Sequence, residues 1–115
     1  MNKKASIEKI VSIRCAIDVA RMLEIKDQQK LNSLTISFFN WLQKHPSKDS
    51  KLPESDCIQI NISAQASLKL AVESINVTVH FNLPIDKKEI SNNDIVEIVD
   101  TLTKLSEKYL TYITK

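Results

Sequence analysis

A chain of 115 residues, 43% hydrophobic and 26% charged, has the make-up of one ordinary globular domain and can bury about two thirds of its unfolded surface. With no glycine it lacks phosphate-cradling loops, dinucleotide fingerprints and glycine helix caps, which removes several large enzyme classes. Sixteen basic residues against 14 acidic ones leave a formal charge of +2, which neither demands nor excludes an anionic partner.

The opening run from Met1 to Ser6 has no apolar stretch of the kind a leader peptide needs, and no segment is apolar for long enough to span a bilayer. No membrane partner is expected. Two cysteines, Cys15 and Cys57, are too few for a disulfide framework, so the expectation is a cytoplasmic protein with reduced thiols.

The first element expected is a helix from Ser6 to about Ile25, with Ser6 as N-cap and Glu8 in the positive first turn. Its apolar residues, among them Ile7, Ile10, Val11, Ile13, Ile17 and Leu23, point nearly all round the axis. Such a helix has to be buried on several sides, and a chain this short can hardly surround it. That argues for a partner subunit. The only two arginines, Arg14 and Arg21, bracket Asp18 at spacings of four and three, so the three share one stripe. They are candidates for gripping a partner's carboxylate or phosphate. The alternative is an ion-pair ladder, within the chain or symmetric across a dimer.

A second helix is expected from about Asp27 to Lys44, ended by His45-Pro46, which completes a helical part over 6–45. Leu31, Leu34, Phe38, Trp41 and Leu42 fall on one arc, while Phe39 lies off it. Phe39 and Trp41 are candidate anchors for a protein partner, against the alternative that the aromatic group is core. The polar stretch 46–56, with two of the three prolines, reads as a loop.

The middle of the chain changes period. Ile58, Ile60, Ile62, Ala64, Ala66, Leu68, Leu70 and Val72 occupy alternate positions, and Ile75, Val77, Val79, Phe81 and Leu83 continue in the opposite parity. This predicts a long antiparallel hairpin over 57–84 with Glu73-Ser74 at its tip. Val72 then faces Ile75, Leu70 faces Val77 and Leu68 faces Val79. The competing pattern is a helical arc of Ala64, Leu68, Ala71, Val72 and Ile75, which gives a strand-helix-strand crossover. In the hairpin register His80 lies opposite Ser67, but no carboxylate orients the imidazole, so the pair reads as solvated.

The last element is a helix over 92–114. Ser91 is its N-cap with Asp94 three residues on, and Ile90 and Ile95 form a hydrophobic staple. Ile95, Ile98, Leu102, Leu105, Tyr109 and Tyr112 step by threes and fours into a narrow seam, the candidate oligomer interface.

Together these elements predict an α+β fold in a single domain, 1–115: two N-terminal helices, the hairpin and a C-terminal amphipathic helix. A two-stranded ribbon leaves both edges open, which argues for a homodimer. No spacing of Cys, His or acidic residues suits a metal, and neither a cofactor nor catalysis is expected. The function expected is a non-catalytic protein-interaction module: an adaptor, a chaperone-like protein or an inhibitor. The alternative is a nucleic-acid-binding accessory protein, using Lys3-Lys4, Lys26 with Lys30, Lys44-Lys48-Lys51 and Lys87-Lys88 together with Arg14 and Arg21 once dimerisation gathers them.

Overall fold

Four α-helices make up the computed structural model, which describes residues 3–46, 51–81 and 90–114. They are α1 (Lys3–Met22), α2 (Gln28–Gln43), α3 (Glu54–Glu73) and α4 (Asn92–Ile113). Among the described residues there is no strand, only an isolated bridge between Ile75 and Val79. The fold is therefore all-α, and the expected α+β class with its hairpin over 57–84 is corrected. Residues 82–84 of that expectation lie outside the described residues.

The physical reason lies in the same residues that alternate. Ala64, Leu68, Ala71, Val72 and Ile75 recur at helical spacing, and all five are buried. Of the side chains the hairpin would have put on one apolar side, Leu68 and Val79 are buried while Leu70 and Val77 are exposed. The helical arc of the competing pattern holds, and its flanking strands do not. Alanine, glutamine, leucine and lysine favour helix, and the tight turn that the hairpin required has no glycine to make it.

The helix ends follow from local chemistry. Asp27 caps α2, its carboxylate accepting from the Gln29 amide at 2.9 Å. Ser91 and Asp94 form a reciprocal capping box on α4, with Ile90 and Ile95 both buried beside it. The expected Ser6 cap is not used, because α1 starts at Lys3. The polar loop gives way to α3 already at Glu54, whose first turn carries Glu54 and Asp56 against the positive end of the helix dipole. Without glycine, α1 closes on Glu24 in the left-handed region (φ 57°). The Ile25 amide then reaches back to the Ala20 carbonyl at 2.8 Å, the bond that ends a Schellman motif. Asn76 takes the other left-handed position, φ 67°.

The core is assembled from one stripe of each helix: Val11, Ala16 and Val19 of α1, Leu34, Phe38 and Leu42 of α2, Leu68 and Val72 of α3, Ile98 and Leu102 of α4. Small polar residues are buried among these stripes. Ser12, Ser67 and Ser106 are fully buried, and each hydroxyl donates at 2.7 Å to the carbonyl four residues earlier. Their polarity is thus satisfied inside their own helix. Among the described residues α3 packs on α1, α2 and α4, whereas α1 touches α2 and α3 but not α4. The Cα envelope measures 50 × 31 × 19 Å. With packed helices about 8–10 Å apart, the shortest dimension holds two helix layers.

The helical assignment of the middle segment separates two residues that the hairpin would have treated alike. Leu68→Ala is expected to destabilise the protein by about 2–5 kcal/mol, whereas Ile62→Thr, on the exposed side of α3, should change stability by no more than about 0.5 kcal/mol. Urea denaturation of the two variants checks this, and equal losses would restore the hairpin.

Candidate functional site

Twenty residues make α1 about 30 Å long, and its two long faces differ in what covers them. Val11, Cys15, Ala16, Val19 and Leu23 lie against the core. On the opposite side Ile10, Ile13 and Ile17 remain 52%, 45% and 38% exposed, with Ile7 at 44% towards the N-terminal end. The expectation that α1 cannot be enclosed by its own chain describes this arrangement. Beside the isoleucines stand Arg14, Asp18 and Arg21, all exposed. Spacings of four and three bring them within reach of one another, yet among the described residues none of the three enters an ion pair or hydrogen bond. The intrahelical ladder is absent, and three charges without partners among the described residues border an apolar strip.

Behind this strip lies Cys15, only 2% exposed. Burial, reinforced by the Asp18 carboxylate, pushes its thiol up from 9.0 to about 12; Lys69 opposes the shift and Glu73 adds to it. The sulfur therefore feels Asp18 of α1 together with Lys69 and Glu73 of α3, which marks where the two helices meet. A thiol held protonated in this way is a packing group, since the thiolate is the nucleophile.

The aromatic candidates are engaged within the fold. Phe39 is half-buried, with the Lys9 ammonium 5.8 Å from its ring centre. Trp41 is buried, and its indole N–H donates to Glu107 Oε1 at 2.9 Å. His45 Nε2 lies 2.8 Å from the same oxygen, its ring 4.5 Å from that of Trp41. The His45 carbonyl accepts from Asn61 Nδ2 at 2.9 Å, and Asn61 Oδ1 accepts from Gln65 at 2.8 Å. This cluster ties the end of α2 to α3 and α4. Sequence reasoning missed Glu107 and Asn61, which come together only through the packing of three helices. It also placed Glu8 in a first turn. The side chain is fully buried and accepts from Gln43 Nε2, a location signalled by its place on the inner arc with Val11, Ser12 and Cys15.

The seam on α4 faces its own chain. Ile95, Ile98 and Leu102 are buried in the core, and Leu105 and Tyr109 are packed against it. The Tyr109 hydroxyl shares a 2.9 Å hydrogen bond with Ser74, and Tyr112 alone stands clear, 81% exposed.

Open grooves among the described residues include two on different faces of α4 and α3. One, of about 360 Å³, runs between the turn after α3 and α4 and is lined by Thr78, His80, Asp100 and Lys104; Lys104 is paired with Asp100 at 2.9 Å. The other, of about 420 Å³, lies among Leu52, Asp56, Ile60 and Ile113. His80 is exposed, while Ser67 is buried and bonded within α3, so the two do not face each other as a hairpin would have them. Among the described residues no group of three His, Cys, Asp or Glu could hold a metal, and no helix is long and apolar enough to cross a membrane. Of the lysine groups, Lys30 lies 3.7 Å from Asp27; the side chains of Lys3, Lys4, Lys48, Lys87 and Lys88 lie outside the described residues.

Two outcomes follow from these environments. Because the folded protein holds the Cys15 proton more tightly than the unfolded chain, stability should fall as pH rises from 9.0 towards about 12. Cys15→Ala should flatten that decline, read from denaturation midpoints of the two proteins across the range. Removing the carboxylate that serves both Trp41 and His45, in Glu107→Ala, should cost about 1–3 kcal/mol, followed by the fluorescence of the single tryptophan. Comparison of the chain with protein-family models, with curated proteins and with solved structures finds no match.

Proposed function

We propose that the chain is a non-catalytic protein–protein interaction module that docks through the outer face of α1. One observation carries this reading: the Ile10, Ile13 and Ile17 strip is exposed and is bordered by Arg14, Asp18 and Arg21, which have no partners among the described residues. Single exposed apolar residues are ordinary on a monomer, whereas a continuous row rimmed by polar groups marks an interaction surface. Burying such a row yields about 25 cal/mol for each Å² removed from water, and arginine is among the residues enriched where partners meet. Phe39 and Trp41 belong to the support of the fold in this reading, which leaves α1 as the working surface. An adaptor, a chaperone-like protein or an inhibitor would each use a face of this kind. Both cysteines are free thiols, in keeping with a reducing compartment, and the reading sets the protein in the cytoplasm.

The nucleic-acid alternative is weaker, because Arg14 and Arg21 stand among isoleucines and beside Asp18, and Lys30 and Lys104 are turned to carboxylates. A photoreactive amino acid placed at Ile17, in living cells of the source, tests the first reading by position. It should capture a protein, while the same group at Ile36 on α2 or Val96 on α4, both more exposed, should not. Capture from the control positions alone, or from none, would overturn the assignment.

A further inference from the structure

We propose that the occupant of this face is a second copy of the chain. The two α1 helices would run antiparallel about a two-fold axis that crosses them at the level of Cys15 and Ala16. This rests on the reading of α1 as a docking surface and names its partner. In a two-fold antiparallel pair, residues of the two copies stand level when their numbers average to the position of the axis. Ile13 with Ile17 averages to 15, Arg14 with Asp18 averages to 16, and Ile10 with Arg21 falls between. One axis serves all three pairings to within a residue, which is about 1.5 Å of helix rise.

The flanks select the direction. Arg14 and Asp18 lie to one side of the Ile10–Ile17 line, the side where α1 meets α3, since Asp18 shares the Cys15 environment with Lys69 and Glu73. Ile13 leans the other way, towards the side on which Lys9 lies over Phe39 of α2. Antiparallel helices bring like flanks together, so Arg14 of each copy meets Asp18 of the other while Ile13 and Ile17 close the apolar side. Parallel helices would set the charged flank against Ile13 and leave both charges unmatched. Isologous pairing thus supplies the partner that Arg14 and Asp18 do not find among the described residues, and it does so twice. With the axis at this level residues 9–22 of the two α1 helices overlap, a strip about 21 Å long and one helix wide at the small end of specific interfaces, so the dimer is reversible.

Sedimentation equilibrium of the full chain, from micromolar to several hundred micromolar, tests this with surface variants that leave the core untouched. The average mass should climb from 13.1 kDa towards twice that value. Arg14→Asp alone and Asp18→Arg alone should each remain at the single-chain mass. An equimolar mixture of the two should associate, because opposite charges again face each other, and the double variant should behave as the parent. A parent that stays at one chain mass, a dimer indifferent to both single changes, or a mixture that fails to associate would each overturn the proposal. If the isolated chain is monomeric while position 17 captures a different protein in cells, the second-copy assignment fails and the docking reading survives. Monomeric behaviour with no capture at all removes both.

Discussion

A bundle only two helix layers thick covers one side of each helix, and α1 carries apolar residues on more than one side. Its inner arc of Val11, Cys15, Ala16 and Val19 is matched to α2 and α3, and the outer isoleucines have no third neighbour within the described chain. Two of the other helices, α2 and α4, pose less of this problem. The buried residues of α2 and α4 fall on one arc each, and most of their remaining positions are polar. α1 and α3 thus each bare an apolar row, Ile10, Ile13 and Ile17 on one and Ile58, Ile62 and Leu70 on the other, and the row on α1 is the one bordered by Arg14, Asp18 and Arg21.

The interior shows how helices are brought close without glycine. Alanines at 16, 64 and 71 and serines at 12, 67 and 106 occupy contact positions with little or no exposure. A buried hydroxyl costs stability unless it is bonded, and here each serine bonds to its own helix, so neighbouring helices need not supply a partner. The polar cluster of Trp41, His45, Glu107 and Asn61 works differently. It joins three helices, and its members depend on one another for satisfaction. Close packing of α3 and the cross-links at the end of α2 hold the slab that presents α1.

How much of this could be read in advance depended on the range of the forces involved. Asp27, Ser91 and Asp94 act on backbone groups within a few residues, so the starts of α2 and α4 were visible as caps. The alignment of Arg14, Asp18 and Arg21 on one stripe follows from 3.6 residues per turn alone. Whether those charges would pair with each other was not readable, because that depends on rotamers and on what stands nearby. Trp41 looked like an anchor for a partner because its own partner, Glu107, lies 66 residues away in the chain.

The middle segment divides most clearly between local and global causes. Apolar residues at every second position from Ile58 to Val72 satisfy a strand pattern, and a subset of them satisfies a helical one. Period alone cannot choose between the two. The choice fell to packing, since a helix offers Ala64, Ser67, Leu68 and Ala71 to α1, α2 and α4 at once, while a two-stranded ribbon would have left its edges open. Sequence by itself therefore determined three helices, two of their caps, and the excess of apolar surface on α1. Only the tertiary structure decided the state of the middle segment, the role of Glu107 and which side of α1 stays bare, because each is set by contacts between residues far apart in the chain.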